Sequence, residues 1–365
     1  HPVSRPAGIG RNRVYVVDDE RGIHALDFEG RILWRKTLEE TVAGPLNEFG
    51  ERLYAGTEEG SLIALRADDG SEVWRFRAGQ AVRTGALVWR NRRGTPFLLC
   101  GGDAGKIYFL DPGGRRSAEM ECGSPITLPP LLDGDRLYAA VRADGLLCLN
   151  LEKRSLAWRV RLAGTPAKRF VADARRLFFL TAQGVLVCLD KKSGSLLWWK
   201  TMSSRTAFDP VLAGGQVLAA ALSDRLAGFR ARDGKETGLF QIDGEFRANP
   251  VWVEPRVLCH ASDNQKEGEA LLVLRRQVPV ALNASKPSPV RVGEEVVFTA
   301  SHAGFKTPRF EFILKSAAGE RVVQTASDRE TWTWRPEAEG AYKIQVRVTE
   351  GERTEESTLE IRVVR

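Results

Sequence analysis

The chain has 365 residues, of which 43% are hydrophobic and 28% charged, and its formal net charge is +7. No stretch approaches the roughly 20 uncharged apolar residues that a membrane-spanning helix needs, so the sequence predicts no such helix. The length suits one large β domain plus a smaller one, or two to three ordinary domains.

The chain begins with HPVSRPAGIG, which has neither an initiator methionine nor the basic-then-apolar pattern of a signal peptide. A mature or trimmed chain begins in this way, so this start is compatible with export. There is also no N-terminal cysteine that could carry a lipid anchor.

An internal repeat of about 40 residues follows along most of the chain. The segments HALDFEGRILW, IALRADDGSEVW, CLNLEKRSLAW and VCLDKKSGSLLW align four tryptophans, spaced by 40, 84 and 40 residues: Trp34, Trp74, Trp158 and Trp198. The interval of 84 residues spans two periods, with a degenerate copy, YFLDPGGRRSA, between them. A second weakened copy, GFRARDGKETG, follows at residues 228–238.

Each copy contains four short runs rich in Val, Leu, Tyr and Trp. The runs are separated by turn residues and show no helical periodicity. Four antiparallel strands per repeat make one blade of a β-propeller. The copies begin near residues 4, 44, 84, 126, 166, 206 and 246. The sequence therefore predicts an all-β fold whose first domain, residues 1–278, is a β-propeller of about seven four-stranded blades.

The recurring tryptophans have a structural interpretation. Asp69 and Gly70 allow a positive-φ turn between the third and the outermost strand of a blade. Trp74 then begins the outermost strand, where a large flat ring fills the wedge between neighbouring blades. Ala64, ten residues before Trp74, leaves room for a ring from the adjacent blade. We interpret the aligned residues as blade-docking rather than ligand-stacking: Trp34, Trp74, Trp158 and Trp198.

The five cysteines cannot all form disulfides within the chain, because their number is odd. Cys148 and Cys188 occupy one recurring slot of the repeat, and Cys100 and Cys259 occupy another. We predict that these four are small buried residues rather than disulfide partners or metal ligands. The position of Cys122 matches neither slot.

These residues carry a family resemblance. The pattern of a small residue, any residue, Asp, a turn with Gly, three residues and Trp is similar to the tryptophan-docking repeat of PQQ-type β-propellers. The resemblance covers roughly residues 1–280. That superfamily includes quinoprotein alcohol dehydrogenases and the outer-membrane assembly scaffold of the BamB type. The resemblance therefore implies either a cofactor-dependent enzyme or a non-catalytic scaffold.

The last copy, RVLCHASDNQKEGEALLVLRRQ, contains no docking tryptophan. Its outer strand has to come either from the segment QVPVAL or from a segment upstream of residue 1. Six blades plus an edge hairpin are a further alternative. The sequence does not choose among these arrangements.

After residue 278 the 40-residue period stops and a different pattern begins. Residues 279–365 contain six or seven short alternating segments in about 85 residues, which indicates an immunoglobulin-like β-sandwich. The segment GAYKIQVRV resembles the Gly-x-Tyr corner of PKD-like and three-tyrosine-motif domains. The resemblance implies that Tyr342 fixes this corner and that Trp332 or Trp334 fills the core.

The positive charge belongs to the predicted propeller, because residues 279–365 carry 13 Lys plus Arg against 13 Asp plus Glu. Such an excess favours an anionic partner or reflects a dispersed solvated surface. No nucleic-acid-binding module or aromatic stacking platform accompanies it, so nucleic acid is a disfavoured partner.

One group of cations is predicted to lie near the central channel or its mouth, if the segment before each Pro-Val run is the innermost strand. Convergent cations there could hold an anionic ligand or an acidic peptide loop. Alternatively, Asp209 and neighbouring carbonyls neutralise them. The predicted binding residues are Arg83, Lys168, Arg169, Arg205 and Arg247.

No catalytic constellation stands out in the sequence. There is no adjacent Cys-Cys pair of the kind that many quinoprotein dehydrogenases carry, and no acidic cluster that would hold calcium. The four histidines lack HxxxH and HExxH zinc spacing: His1, His24, His260 and His302. We therefore predict no enzyme activity, no cofactor and no metal.

The resemblance implies a periplasmic or extracellular, non-catalytic scaffold of the bacterial cell envelope. In this interpretation the propeller faces and the sandwich bind partner proteins. Two alternatives are a sensory or carbohydrate-binding ectodomain of a larger surface receptor and a quinoprotein-type dehydrogenase.

Overall fold

In a computed structural model of the chain, the described residues are 3–142, 145–162, 164, 166–202, 204, 208–220, 224–242, 244–253, 256–263, 268–275, 280–302, 305–351 and 353–365. The regular elements of this part of the chain are all β-strands, and none of it forms a helix long and apolar enough to cross a membrane. Two compact units are separated between Leu274 and Arg275. The sequence places this boundary four residues later, between residues 278 and 279.

The first unit consists of antiparallel sheets in which the strands follow chain order. Sheet 1 contains β1 (Val3–Ile9), β2 (Val14–Asp18), β3 (Gly22–Leu26) and β4 (Ile32–Thr37). Sheet 2 contains β5 (Asn47–Phe49), β6 (Arg52–Gly56), β7 (Ser61–Arg66) and β8 (Glu72–Arg77). Sheet 3 contains β9 (Leu87–Arg90), β10 (Pro96–Gly101), β11 (Lys106–Leu110) and β12 (Arg116–Glu121).

Four further sheets complete the described part of this unit. Sheet 4 contains β13 (Leu131–Asp133), β14 (Arg136–Val141), β15 (Gly145–Asn150) and β16 (Ser155–Val160). Sheet 5 contains β17 (Val171–Ala172), β18 (Arg176–Leu180), β19 (Val185–Asp190) and β20 (Leu196–Thr201). Sheet 6 contains β21 (Val211–Ala213), β22 (Gln216–Ala220), β23 (Arg225–Arg230) and β24 (Glu236–Gln241). Sheet 7 has three described strands: β25 (Val251–Val253), β26 (Arg256–Asp263) and β27 (Gly268–Arg275).

The hydrophobic core lies between consecutive sheets. Along β7, Ile63 and Leu65 pack into a cluster with sheet 1, whereas Leu62 and Ala64 pack into a cluster with sheet 3. This division follows from the two-residue period of a strand. Because both faces of the central strands are covered, these strands are near-continuous apolar runs in the sequence.

A β-bulge precedes each docking tryptophan. In sheet 2, Trp74 pairs with Ala64 while Glu72 pairs with Leu65, so the intervening Val73 has no partner in the ladder. Such an extra residue locally bends the strand and re-aims a side chain. The apolar bulge residues of sheets 1, 2 and 5 consequently point to solvent, with exposed fractions of 49%, 40% and 40%: Leu33, Val73 and Leu197.

One predicted arrangement of the seventh copy is wrong. The segment QVPVAL does not supply the outer strand of sheet 7, because Val280–Ala284 pairs with a strand of the second unit. Val280 and Leu282 are buried in the core of that unit, which explains why this segment joins it. Residues 276–279 lie outside the described residues.

The cysteines are all buried and none forms a disulfide. Cys148 pairs with Trp158 across sheet 4 and Cys188 pairs with Trp198 across sheet 5, where other copies have alanine. Burial raises the pKa of the Cys100, Cys122 and Cys188 thiols to about 12. These thiols are therefore protonated near neutral pH.

The described residues of the second unit form two sheets. One has the order β28-β30-β33 and the other β29-β35-β34-β31-β32. The strands described for this unit are β28 (Val280–Ala284), β29 (Val290–Arg291), β30 (Val296–His302), β31 (Arg309–Ser316), β32 (Gly319–Ser327), β33 (Thr331–Trp334), β34 (Gly340–Glu350) and β35 (Arg353–Val364). Phe298 from one sheet and Phe312 and Ile344 from the other belong to one buried cluster, so the sheets pack face to face.

The aromatic residues predicted for the second unit lie near this cluster. The Tyr342 hydroxyl donates a hydrogen bond to the Ala338 carbonyl at 3.0 Å. The Tyr342 ring lies 5.0 Å from that of Trp334, measured between centroids. Trp334 is buried, whereas Trp332 is partly buried at the edge of the same cluster.

Candidate functional site

Each docking tryptophan contacts the next sheet along the chain. Its indole N–H donates a hydrogen bond to a backbone carbonyl in the turn that precedes the outer strand of that sheet. The donor and acceptor residues are Trp34 and Ala67 (2.7 Å), Trp74 and Pro112 (3.1 Å), Trp158 and Lys191 (3.1 Å), and Trp198 and Ala231 (3.0 Å).

A glycine lies beneath each of these indole rings. A Cβ atom added to any of the four would come within 2.5–2.8 Å of an indole carbon, which is closer than side chains pack. The same glycines have φ between 69° and 84°, in the left-handed region. Both constraints act on Gly70, Gly114, Gly194 and Gly234.

In three cases the carbonyl that accepts from the tryptophan also accepts from an arginine at the start of the second strand of a sheet. The Arg136 guanidinium donates to the Lys191 carbonyl at 3.2 Å. Arg13 donates to the Ala67 carbonyl and Arg52 to the Pro112 carbonyl. Sequence reasoning missed these arginines, although the recurring RVY and RLY segments were a signal that could have found them.

Ala64 does not lie beside the tryptophan of the preceding sheet, Trp34, which belongs to a different cluster. It pairs with Trp74 of its own sheet and joins the cluster between sheets 2 and 3. The ring from the adjacent sheet, Trp34, instead lies over Gly70. A small residue is needed at position 64 because the tryptophan of the same sheet lies beside it.

Sheet 3 contacts sheet 4 without a docking tryptophan. Ala118 takes the place of the tryptophan, and Phe109 takes the place of the small residue opposite it. Trp89, on the first strand of sheet 3, packs edge-on against Phe109 at 6.0 Å between centroids. Its indole N–H lies 3.3 Å from Oδ1 of Asp135 in sheet 4. The degenerate copy thus replaces the missing contact with residues from another strand.

Arg83 lies in the connector between sheets 2 and 3, where connector means the residues that join the last strand of one sheet to the first strand of the next. Its Nε and Nη2 donate to the two carboxylate oxygens of Asp103 at 3.0 Å each. Its Nη1 lies 2.8 Å from Oε2 of Glu58. These hydrogen bonds, chiefly those to Asp103, raise the pKa of Arg83 further above its usual range. Arg83 therefore joins two acids at equivalent turns of neighbouring sheets.

A second set of connector side chains forms a ladder at intervals of 40 residues. The Arg169 backbone N–H donates to Oδ1 of Asp209 at 2.9 Å, and the Arg169 Nε lies 3.9 Å from Oδ2 of that carboxylate. The Asp209 backbone N–H donates to Oδ1 of Asn249 at 2.9 Å. The amide of Asn249 returns a hydrogen bond to Asp209 at 3.0 Å. Three successive connectors are therefore linked.

The remaining predicted binding residues are placed separately. The Arg247 guanidinium lies 3.1 Å from Oε2 of Glu245, in its own connector. Lys168 is half-buried and forms no ion pair with a described residue. Arg205 lies outside the described residues. Of the predicted binding residues that the structure describes, three form ion pairs with separate carboxylates instead of facing one common cavity: Arg83, Arg169 and Arg247.

The connectors thus present paired charges of both signs. Asp209 forms an ion pair with Arg169, as the alternative in which Asp209 neutralises these cations predicts. Glu58 and Asp103, which pair with Arg83, were not identified from the sequence. Aligning the turns GTEEGSL and GGDAGKI would have placed these two acids at one repeat position. Within the described residues no three His, Cys, Asp or Glu side chains are grouped so that they could hold a metal ion.

Known proteins resemble the chain in sequence and in structure. The sequence pattern of the family described as outer membrane protein assembly factor BamB matches residues 2–116 and 158–304. The outer membrane protein assembly factor BamB of Yersinia pestis is 21% identical, and the match covers 70% of this chain and 81% of that protein.

Two solved structures share the fold. The crystal structure of BamB from Moraxella catarrhalis has a TM-score of 0.61 at 17% identity, and the match covers 74% of this chain and 82% of that chain. The crystal structure of Saccharomyces cerevisiae Sqt1 has a TM-score of 0.59 at 10% identity, and the match covers 73% of this chain and 82% of that chain. At such identities the likeness shows the fold alone, a β-propeller. The family pattern covers more than half of the chain, and the chain therefore belongs to the family of outer membrane protein assembly factor BamB.

Proposed function

We propose that the protein is a non-catalytic scaffold of the bacterial cell envelope that binds partner proteins. The observation that carries this proposal is the match to the BamB family, whose name describes an outer membrane protein assembly factor. A periplasmic or extracellular location follows from the same relationship. The connectors support it physically, because their side chains form a surface of fixed, paired charges rather than a reactive group.

We infer that the seven sheets described for the first unit are the blades of one propeller, and that the docking tryptophans hold successive blades together. The repeated indole contact between sheets supports this inference. We infer further that the second unit is an immunoglobulin-like sandwich. Its two face-to-face sheets and the Tyr342 hydrogen bond support that assignment.

The connector surface is the candidate binding face. Arg83 with its two acids, and Arg169 with Asp209, offer charges of both signs at fixed distances. Such a surface complements a protein partner that also carries both signs, whereas a small anion would have to displace existing ion pairs. An acidic peptide loop that approaches Lys168 is the version of the anionic-ligand hypothesis that this geometry favours.

The test is affinity purification of the tagged chain from a detergent-solubilised envelope fraction of the native source, with mass spectrometry. We expect one envelope protein to be recovered repeatedly. Arg247→Glu and Arg83→Gln should each weaken its recovery about tenfold. Arg115→Glu, on a turn of sheet 3, is the control and should recover it normally. Equal recovery by all variants with intact thermal unfolding would rule out the connectors as the binding face.

A negative result also decides the broader proposal. If no protein is recovered and the purified chain instead binds a quinone after reconstitution with calcium, the scaffold proposal is wrong and the dehydrogenase alternative gains its first support.

A further inference from the structure

We propose that a basic cleft between sheets 4 and 5 binds a phosphate monoester. The cleft has a volume of about 460 Å³ and lies at the turn that follows β19. Its polar lining consists of Arg136, Tyr138, Arg175, Asp190, Lys191 and Lys192. It is separate from the connectors, so this proposal does not depend on the proposed function.

Two of the cations are held in place by backbone groups. Arg136 donates to the carbonyls of Lys191 and Lys192 at 3.2 and 3.3 Å. Lys191 donates to the Asp173 carbonyl at 2.7 Å and forms an ion pair with Asp133. Binding an anion beside pre-positioned cations costs less conformational entropy than ordering free side chains.

Two further cations are free to turn toward a ligand. Arg175 is 72% exposed at its side chain, and its Nε lies 3.4 Å from Asp190 Oδ2. Lys192 is exposed, and within the described residues its ammonium forms no ion pair. Asp133 neutralises Lys191. The lining then has three further cations, Arg136, Arg175 and Lys192, and one carboxylate, Asp190. The cleft therefore has a net charge near +2.

The aligned copies show that these cations are not needed to build the turn. The pair Lys191-Lys192 corresponds to Ala67-Asp68 in sheet 2 and to Pro112-Gly113 in sheet 3. Arg175 corresponds to an acid in sheets 2 and 4, Glu51 and Asp135. The same turn and the same tryptophan contact form in sheets 2 and 3 without them. A binding role is consistent with this local reversal of charge.

The charge and the volume favour a phosphate monoester over a carboxylate. A monoester carries a charge of about −1.5 to −2 at pH 7 and three acceptor oxygens. Arginine and lysine both bind phosphate through charge-assisted hydrogen bonds. A cleft of about 460 Å³ lies in the size range of small-molecule sites, so it also has room for a sugar or glycerol group beside the phosphate.

The probe for a soluble ligand is glycerol 3-phosphate, with inorganic phosphate as its minimal form, titrated into the full chain by calorimetry. Arg175→Glu and Lys192→Asp restore the residue types of the aligned copies. Each should weaken binding about tenfold or more, because each removes a charge-assisted hydrogen bond. Arg232→Asp alters the residue that corresponds to Lys192 in sheet 6, and it should leave binding unchanged.

A lipid headgroup would present the same chemistry from a membrane surface. Vesicles of phosphatidylcholine with and without phosphatidic acid test this source by co-sedimentation. The cleft is supported if either probe binds the wild-type chain and Arg232→Asp but does not bind Lys192→Asp. The probe that binds then identifies the source of the phosphate.

Two outcomes overturn the proposal. One is the absence of binding to glycerol 3-phosphate, inorganic phosphate and the phosphatidic acid vesicles alike. The other is an equal loss in Arg232→Asp, which would show general attraction to a basic surface. Lys192→Gln removes the charge without reversing it. Together with an unchanged thermal unfolding curve for every variant, it distinguishes lost binding from lost folding.

Discussion

Trp198 and Trp199 are adjacent in the sequence and have opposite environments. The Trp198 indole donates to the Ala231 carbonyl and covers Gly234 of the next sheet. Trp199 is 57% exposed. Strand alternation sends the two rings to opposite faces of β20, and only one of those faces meets sheet 6.

This neighbouring pair is a matched test of the docking contact. Trp198→Ala should lower the free energy of unfolding by about 3 kcal/mol, because it removes a packed ring together with its hydrogen bond. Trp199→Ala should change it by less than about 1 kcal/mol. Chemical denaturation monitored by circular dichroism measures both values. Similar losses from the two variants would show that the contact between sheets 5 and 6 contributes little to stability.

Asp18 is a buried acid that gives the protein a pH-dependent stability. His24 Nε2 lies 2.7 Å from its Oδ2, and the Gly22 N–H donates to its Oδ1 at 2.6 Å. The hydrogen bond from His24, helped by that of Gly22, lowers the pKa of Asp18 despite its burial. The unfolded chain therefore binds more protons than the folded chain between the lowered value and the ordinary value of about 3.9.

We expect the wild-type chain to be more stable than Asp18→Asn by about 1–3 kcal/mol above pH 5. The difference should shrink as the pH falls below about 4 toward the lowered native pKa, because stability rises with pH where the unfolded state binds more protons. Denaturant titrations of both proteins from neutral to acidic pH measure it. A constant difference across that range would contradict the account.

At the scale of the elements, the turn before each outer strand depends on the sheet that precedes it. Sheets 2, 3, 5 and 6 each receive an indole ring, and each has glycine beneath that ring. The corresponding turn of sheet 4 receives no docking tryptophan, because sheet 3 has Ala118 in that position. There the turn has Arg154 with a φ of 49°, and its guanidinium lies 5.7 Å from the centroid of the Phe109 ring.

The two kinds of turn should respond differently to substitution. Gly194→Ala places a methyl group 2.8 Å from the Trp158 ring and should destabilise the fold by about 1–3 kcal/mol. Arg154→Gly should change stability by less than about 1 kcal/mol, since it loses a cation–π contact and relieves a left-handed backbone. Thermal unfolding compares the two. A larger loss from Arg154→Gly would mean that the turn does not depend on the neighbouring ring.

The repeating elements were predictable from the sequence because their signals are local and recur. Asp69, Gly70 and Trp74 lie within six residues of one another, and their 40-residue spacing identifies the blade. The substitution in sheet 3 was not predictable in this way. Trp89 compensates for Ala118 from a strand 29 residues earlier, and nothing in the local pattern links the two. The ion pairs of Arg83 were missed for a different reason, since its acids belong to two different sheets and only an alignment of their turns places them at one repeat position.

At the scale of the whole molecule, the two units differ in charge. Residues 279–365 balance 13 cations with 13 anions, and Arg275 and Arg276 lie just after the boundary at Leu274, so the first unit has a net charge of +5 and the second a net charge of +2. Part of the first unit's excess is local, as in the cleft between sheets 4 and 5, whereas Arg83 and Arg169 are paired with acids and do not contribute to it. The units therefore offer chemically different surfaces to partners.

The central claim, that the connectors of this BamB-family chain bind an envelope protein, is tested most directly by photo-crosslinking in living cells of the native source. A photoreactive residue replaces Arg83 or Arg247, or, as a control, the exposed bulge residue Val73. We predict a discrete adduct with one envelope protein from both connector positions and none from position 73. The claim is contradicted if folded, expressed chains give no adduct from either connector position, or give the same adducts from all three.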